Sequence, residues 1–286
     1  MFHVEQNKKT IRLAVAKDHL VSGEVFEIHL DKERQIAHTH PAPEEEALTG
    51  YYQSEDYISH GNQHRTFLDR LYRKAQQWMF SKKENWLSRH SSKDKTYLDF
   101  GCGTGDFVDF LNQKGWSSYG VEPSEKARSF IPSRKNLFAN EKELPNQAFD
   151  VIGLWHVLEH LPSPKQQLEE LELYLKEEGV FIFALPNFNS FDARHYQDYW
   201  AAYDVPRHLW HFSAVGISKL MQELNYKLIG KRGLFFDAYY VSYLSEKQQK
   251  KSFPFVRGIF WGLLSNLTAL FTGEYSSLVY VFQRKV

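Results

Sequence analysis

The sequence has very little cysteine: Cys102 is the one cysteine among 286 residues. A single thiol excludes an intrachain disulfide and a zinc site built from several cysteines. It is typical of a reducing compartment, so we expect a cytoplasmic protein. Residues 1–15 are too charged, and their apolar run is too short, for a secretory signal.

An excess of either charge is also lacking. The 35 basic and 35 acidic side chains give a formal net charge of zero, so we expect no nucleic-acid partner. The most apolar run, residues 255–271, contains Arg257 and is shorter than the roughly 20 residues of a membrane span. We therefore predict no span. Three roles stay open for this run: a core or homodimer helix, a lid over an apolar substrate, or an interfacial contact with a membrane.

Glycine is not abundant, yet three glycines alternate within residues 97–105, which read YLDFGCGTG. Bulky apolar residues before the glycines predict a strand, and apolar residues at helical spacing after Gly105 predict a helix. Glycines between the two let the backbone turn sharply and let a ligand approach the main chain. The stretch therefore predicts a strand, a glycine-rich turn and a helix.

An acidic residue, Glu122, ends the next apolar strand, residues 119–121. In open α/β sheets, a glycine turn passes under a nucleoside and an acid at the next strand end binds the ribose hydroxyls. The dinucleotide fingerprint G-x-G-x-x-G needs a third glycine where this chain has Asp106. The pattern favours a mononucleoside ligand and makes an NAD-dependent oxidoreductase the weaker alternative.

Three stretches carry a family resemblance. Residues 99–105 resemble the first motif, D/E-x-G-x-G-x-G, of the class I S-adenosylmethionine-dependent methyltransferases. Residues 121–124 resemble the second motif, and residues 149–161 resemble the fourth strand and the following helix. The resemblance covers about residues 95–235. It implies an α/β fold with a seven-stranded Rossmann-like sheet and helices on both faces. It also implies S-adenosylmethionine as cofactor and S-adenosylhomocysteine as product.

We divide the chain into three parts. Residues 1–48 form a small β appendage, residues 49–94 a helical cap over the cofactor site, and residues 95–286 the methyltransferase domain. Within that domain we expect a cap at 187–213 and a helical insertion at 238–276 before the last strand. Similar methyltransferases often carry a zinc ribbon at the N-terminal position; without cysteines there, we expect a degenerate appendage that binds no metal.

The resemblance also assigns cofactor contacts. The expected residues are Asp99, Gly101, Cys102, Gly103, Gly105, Glu122, Pro123, Asn140, Glu141, Trp155, Tyr51 and Tyr57. Glu122 would bind both ribose hydroxyls, and Asn140 and Glu141 would touch the adenine ring. Asp99 would order the turn through backbone N–H groups or reach the methionine amine through water. Tyr51 and Tyr57 have three interpretations: they contact the adenosine, they line the entrance for the substrate, or they cover the core as packing residues.

Four residues are candidates for catalysis. His156 follows the fourth strand and would face the transferring methyl group. His208 and His211, from the cap, are candidate bases. Arg207 would hold an anionic substrate or pair with Glu159.

Residues 156–160, HVLEH, match the H-x-x-E-H pattern of one class of zinc protease. That pattern needs both histidines to face a metal from a helix, and we predict a helix over 157–177. Because the stretch directly follows a buried strand, we interpret the match as coincidence and predict no metal site.

The predicted activity is methyl transfer from S-adenosylmethionine to an oxygen or nitrogen atom of a small-molecule or glycan-like acceptor. The sulfonium is already activated, so the protein has to align the reacting atoms and exclude water, and it needs no metal to do so. The alternative from another class is a non-catalytic S-adenosylmethionine-binding protein whose partner contacts residues 255–271.

Overall fold

The computed structural model describes residues 9–52, 67–129, 136–144 and 148–285. In these ranges the strands are β1 (Thr10–Lys17), β2 (Val25–Asp31), β3 (Ile36–His40), β4 (Thr96–Phe100), β5 (Ser117–Val121), β6 (Leu137–Phe138), β7 (Phe149–Trp155), β8 (Leu175–Pro186), β9 (Trp210–Phe212), β10 (Tyr226–Gly233) and β11 (Ser277–Arg284). The helices are α1 (Glu45–Tyr51), α2 (Phe67–Leu87), α3 (Asp106–Gln113), α4 (Glu125–Ser129), α5 (Pro164–Glu172), α6 (Phe191–Tyr196), α7 (Ala214–Glu223), α8 (Asp237–Gln248) and α9 (Pro254–Thr272).

A seven-stranded sheet in the order β10-β11-β8-β7-β4-β5-β6 forms the centre of the fold. The pairs from β8 to β6 are parallel, and β11 is antiparallel to both of its neighbours. This confirms the predicted seven-stranded Rossmann-like sheet. Because β4, β5, β6, β7 and β8 are parallel, their carboxyl ends share one edge, where open α/β sheets bind ligands.

Both faces of this sheet are covered, which explains the nearly continuous apolar runs of β7 and β8. Ile152 and Phe181 lie in the core with residues of α5 and α7. Val151 and Val180 lie in a second core with residues of α2 and α3. Alternate residues along each strand thus face opposite helical layers.

The chain after β7 differs from the predicted helix over 157–177. A single 3₁₀ turn, Leu158–His160, comes first, and α5 begins only at Pro164. The strand β8 then starts at Leu175, inside the range predicted as helix. The turn is short because Leu161 is extended and Pro164 fits the first turn of a new helix.

A second, antiparallel sheet has the order β1-β2-β3-β9. Its last strand comes from the cap, and Ala37 of β3 faces His211 of β9 across the pairing. Apolar residues of the N-terminal strands, such as Phe26, share a core with Trp200 of the cap and Val241 of α8. The structure therefore joins the N-terminal appendage, the cap and the insertion into one layer of the molecule.

The helices α8 and α9 lie between β10 and β11. A Cβ at Gly258 or Gly262 of α9 would come within 2.6–2.7 Å of the Cα atoms of Tyr243 and Tyr239 of α8. These two glycines allow the helices to pack closely. The opposite side of α9 is apolar and exposed, for example at Phe255.

By length and composition, α9 is the one helix among the described residues that could cross a membrane, and 28% of its most apolar window is buried inside the protein. Its length of 19 residues therefore does not exclude a span, contrary to the length argument from the sequence. The roles considered above for this segment stay predictions.

Candidate functional site

The glycine turn after β4 has a left-handed backbone. The φ angles of Gly101, Gly103 and Gly105 are +75°, +55° and +73°, values that side-chain-bearing residues rarely adopt. A Cβ at Gly101 would come within 2.4 Å of the Val157 side chain, whereas one at Gly103 would meet nothing within 4 Å. Gly101 is thus required for packing, and the main chain at Gly103 is open to a ligand.

Glu122 reaches this open part of the turn from the end of β5. Its Oε2 accepts a hydrogen bond from the Gly103 N–H at 3.0 Å, and its Oε1 accepts one from the Ser124 N–H at 2.9 Å. The Gly101 N–H donates to the Val121 carbonyl at 2.7 Å, which holds the turn against β5. The structure therefore brings the predicted turn and the predicted acid together.

Cys102 and Pro123 lie beside this pair. A Cβ at Gly120 would come within 2.5 Å of the Cys102 Sγ, so the thiol fills the space above β5. Pro123 is exposed directly after Glu122. Packing accounts for Cys102, and its predicted contact with a cofactor stays a prediction.

Asn140 and Glu141 lie at the end of the neighbouring strand β6. The Glu122 N–H donates to the Phe138 carbonyl at 3.0 Å, which ties the two strand ends together. The Asn140 side chain is exposed and accepts from the Lys142 N–H at 3.1 Å, capping a 3₁₀ turn that begins at Glu141. Both residues thus share the sheet edge with Glu122.

Asp99 belongs to a buried chain of hydrogen bonds. The Trp155 Nε1–H donates to the Tyr97 hydroxyl at 2.8 Å, and that hydroxyl donates to Asp99 Oδ1 at 2.9 Å. Burial raises the pKa of Asp99 to about 6, although the charge of Lys83 opposes the rise. Among the described residues, the carboxylate therefore accepts from a tyrosine hydroxyl, where the sequence analysis suggested backbone N–H groups of the turn.

Lys83, on α2, was missed by the sequence analysis. Its Nζ lies 4.0 Å from the centroid of the Trp155 ring and 5.3 Å from that of Phe107. Burial lowers the pKa of Lys83 to about 8, opposed by the charges of Asp99 and Asp237. Lys82 and Lys83 are adjacent on a charged helix, so no sequence signal distinguishes the one that turns inwards.

His156 directly follows β7 and has a left-handed backbone, φ +57°. Its Nδ1 lies 3.4 Å from Glu159 Oε1, and its Nε2 lies 3.2 Å from Oδ2 of Asp237, the first residue of α8. Burial lowers the pKa of His156, but the nearby carboxylates of Asp237 and Glu159 outweigh burial and raise it to about 10. The ring is therefore a poor proton acceptor at neutral pH. The sequence contains no signal for Asp237 as its partner.

Arg207 is buried and pairs with the carboxylates of two different segments. Its guanidinium is 1% exposed and donates to Asp204 at 2.7 Å, to Asp18 at 3.1 Å and to the Tyr51 carbonyl at 3.2 Å. The suggested pairing with Glu159 is wrong, because these two aspartates neutralise the guanidinium instead. The arginine joins the cap to the loop after β1.

The two cap histidines have different neighbours. The Thr39 hydroxyl donates to the His208 carbonyl at 2.6 Å, so its oxygen is left to accept from His211 Nε2 at 3.0 Å. Burial holds the pKa of His211 well below its usual range. These contacts make His211 a connection between β3 and β9. His208 is also buried, and its ring lies 4.5 Å from that of His160.

Tyr51 belongs to the small sheet. Its hydroxyl donates to Glu24 Oε2 at 2.6 Å, and its ring packs edge-on against Phe26. The structure thus favours packing over contact with adenosine for this tyrosine. Tyr57 lies outside the described residues, so its contact with the cofactor stays a prediction.

Taken together, the carboxyl edge of the sheet offers two kinds of recognition. Glu122 and the open main chain at Gly103 suit a group with neighbouring hydroxyls. Lys83 and Asp99, of opposite charge, suit a zwitterionic group. A ligand that carries a diol at one end and an amino acid at the other would use both.

A family model described as a methyltransferase domain matches residues 66–230, which is more than half of the chain. An uncharacterised protein of Methanocaldococcus jannaschii is 29% identical over 147 residues, 50% of this chain and 69% of that protein. A ubiquinone biosynthesis O-methyltransferase of Azoarcus sp. is 27% identical over 119 residues. That alignment covers 37% of this chain and only 50% of the relative.

Solved structures share the fold at low identity. Magnesium protoporphyrin IX methyltransferase from Synechocystis, with bound SAH, is 14% identical with a TM-score of 0.53, covering 85% of this chain and 100% of that one. The [4+2]-cyclase SpnF is 14% identical with a TM-score of 0.51, covering 74% and 82%. Because a cyclase shares this fold, the fold by itself does not determine the reaction.

Proposed function

This chain belongs to the methyltransferase-domain family, and we propose that it transfers the methyl group of S-adenosylmethionine to an oxygen or nitrogen atom of a small-molecule or glycan-like acceptor. Family membership confirms the methyltransferase expected from the motifs. The observation that carries the proposed cofactor is the Glu122 carboxylate, bonded to the N–H of Gly103 where the turn is open.

In this proposal, Glu122 accepts hydrogen bonds from the two ribose hydroxyls. Each such bond to a carboxylate contributes about 1.5–3 kcal/mol. The adenine ring would then extend towards Asn140 and Glu141, which share the sheet edge with Glu122. Gly101 and Gly105 maintain the turn that leaves Gly103 exposed to the nucleoside.

The methionine part of the cofactor carries an ammonium group and a carboxylate. Lys83 would pair with the carboxylate, and Asp99 would attract the ammonium group. Lys83 lies over the Trp155 ring, and the Nε1–H of that ring bonds the Tyr97 hydroxyl that in turn bonds Asp99. Arg207, which the sequence analysis considered for an anionic substrate, is buried and paired with Asp18 and Asp204.

Methyl transfer is an in-line displacement, so the main task of the protein is to align the acceptor atom, the methyl carbon and the sulfur. His156 lies at the end of β7, held by Asp237 and Glu159, and would help to position the acceptor rather than remove its proton. The O-methyltransferase name of the Azoarcus relative supports oxygen over nitrogen as the acceptor atom.

The test uses the purified chain of 286 residues. Calorimetry with S-adenosylmethionine should show saturable binding at a single site, whereas NADH should not compete. The protein is then incubated with methyl-labelled cofactor and a panel of phenols, carboxylic acids, amines and sugars. Equal amounts of S-adenosylhomocysteine and labelled product would support the proposal, and failure to bind the cofactor at millimolar concentration would refute it.

A second candidate is a non-catalytic S-adenosylmethionine-binding protein. The exposed apolar face of α9, which includes Phe255 and Phe271, favours a role in binding a partner. This candidate predicts cofactor binding without S-adenosylhomocysteine formation across the whole acceptor panel. The same experiment therefore separates the two.

A further inference from the structure

Three metal-ligating side chains come together beside the turn that follows β7. Glu159, His160 and His208 each offer one ligand atom, and these atoms lie within 4.8 Å of one another. Two of the residues belong to the 3₁₀ turn Leu158–His160, and the third comes from the segment before β9. The geometry points to a binding site for a divalent transition-metal ion, with zinc as the preferred ion.

The Glu159 carboxylate is the first argument for a cation. Its side chain is 1% exposed, and neither oxygen has a hydrogen-bond partner among the described residues. The nearest charged group is His156, whose Nδ1 lies 3.4 Å from Oε1. A buried carboxylate without hydrogen bonds is costly, and a metal ion bound directly to its oxygens would offset that cost.

His160 is oriented as a metal-binding histidine would be. Its Nδ1 lies 3.0 Å from the Arg207 carbonyl, and the Tyr52 hydroxyl is also 3.0 Å from this nitrogen. A carbonyl can only accept, so Nδ1 carries the proton and, in the neutral ring, Nε2 carries the lone pair. Metal-binding histidines typically donate their other ring N–H to such a carbonyl.

His208 repeats this arrangement. Its Nδ1 lies 3.0 Å from the Ala202 carbonyl, so in the neutral ring Nε2 is again the nitrogen that can bind a metal. The two imidazole rings meet edge to face with centroids 4.5 Å apart. Asp204 lies further off, with Oδ2 3.9 Å from His208 Nε2, and is bonded to Arg207.

The donor set indicates the kind of ion. Two imidazole nitrogens and one carboxylate suit Zn²⁺, whereas Mg²⁺ and Ca²⁺ prefer oxygen ligands. Ligand atoms about 2.1 Å from a tetrahedral zinc are about 3.4 Å apart, so ligand atoms separated by as much as 4.8 Å have to approach by up to about 1.4 Å. Three protein ligands leave a fourth position for water or for a substrate oxygen.

This site differs from the H-x-x-E-H pattern of the sequence. That pattern places both His156 and His160 on the metal, but His156 turns towards Asp237 in this structure. His208 supplies the second histidine from a distant part of the chain. The inference stands independently of the proposed methyl transfer, since it depends only on these three side chains.

The test measures zinc in the purified chain of 286 residues. The protein is stripped with chelator, incubated with zinc, passed through a desalting column and analysed by inductively coupled plasma mass spectrometry. We expect one zinc per chain. Cobalt in place of zinc should give visible absorption bands of a site with histidine ligands, which is a readout independent of enzymatic activity.

Variants assign the ligands. Loss of an outer-shell partner of a metal ligand typically weakens metal binding by roughly 10- to 100-fold. Glu159→Gln and His208→Ala change the proposed ligands themselves, so each should weaken zinc binding by at least that much. His90→Ala, at a half-buried histidine outside the cluster, should retain one zinc. Glu122→Ala should also retain it, so a failure of the cofactor proposal is distinguishable from a failure of this one.

Circular dichroism checks that each variant is folded, and His160→Gln replaces any variant that is not. The inference is overturned if the wild-type protein retains no zinc. It is equally overturned if folded Glu159→Gln and His208→Ala proteins bind zinc as tightly as the wild type.

Discussion

The role of Glu122 allows the sharpest prediction. Glu122→Ala removes the carboxylate that would bind both ribose hydroxyls and that bonds the Gly103 N–H at 3.0 Å in this structure. Two hydrogen bonds to a carboxylate contribute about 3–6 kcal/mol in total. Part of this free energy is offset, because the carboxylate exchanges its hydrogen bond from the Gly103 N–H and its bonds to water for the bonds to the ribose.

A net loss of about 2–4 kcal/mol is therefore expected, which corresponds to S-adenosylmethionine binding that is roughly 30- to 700-fold weaker. Glu122→Gln keeps the shape and one acceptor oxygen but loses the charge, so a loss of about tenfold is expected. Glu125→Ala removes an exposed acid three residues away and should change the affinity less than twofold.

Isothermal titration calorimetry measures the three affinities, and thermal unfolding checks that each variant is folded. The reasoning is refuted if folded Glu122→Ala binds the cofactor within twofold of the wild type. It is also refuted if Glu125→Ala loses as much affinity, since the effect would then be a general one of charge.

Three further predictions concern the residues around the turn and the cap. The affinity for S-adenosylmethionine should fall as the pH rises through about 8, where Lys83 loses its proton, and also as the pH falls through about 6, where Asp99 gains one. Calorimetric titrations across pH should show that Lys83→Met removes only the fall in affinity at alkaline pH; an unchanged alkaline fall in this variant would contradict the role of the lysine. Gly101→Ala should lower the free energy of unfolding in urea by about 1–3 kcal/mol more than Gly103→Ala does, because both substitutions strain a left-handed backbone but only the first places a Cβ within 2.4 Å of a side chain. Equal losses of unfolding free energy would contradict the clash. Arg207→Ala should lower the free energy of unfolding by about 3–5 kcal/mol, because it leaves Asp18 and Asp204 without their counter-charge where the cap contacts the small sheet. A loss below 1 kcal/mol would show that the guanidinium is not needed there.

Local patterns in the sequence were enough to predict the strand, the glycine-rich turn and the following helix, whereas the family resemblance implied the seven-stranded sheet. The backbone of Gly101, Gly103 and Gly105 has to be left-handed in any strand-turn-helix of this kind, and glycine spacing reports that requirement directly. Glu122 was predictable for a related reason: parallel neighbouring strands bring their carboxyl ends to one edge, so an acid at the end of β5 has to lie near the turn after β4.

Only the tertiary structure decided which side chains meet across distant segments. Arg207 pairs with Asp18, and His156 with Asp237, although no periodicity relates the members of either pair. Glu159 became a candidate metal ligand only because the cap folds His208 back onto the turn after β7.

The physical reason is the range over which each kind of information acts. Backbone conformation and the periodicity of burial depend on residues a few positions apart, so a sequence displays them without a fold. The partner of a buried charge is chosen by the packing of whole elements, because burial penalises any charge left without a counter-charge. The sequence by itself therefore determined the glycine turn and the carboxylate beside it, and the packing of the cap, the insertion and the small sheet determined the neighbours of the surrounding charged and histidine side chains.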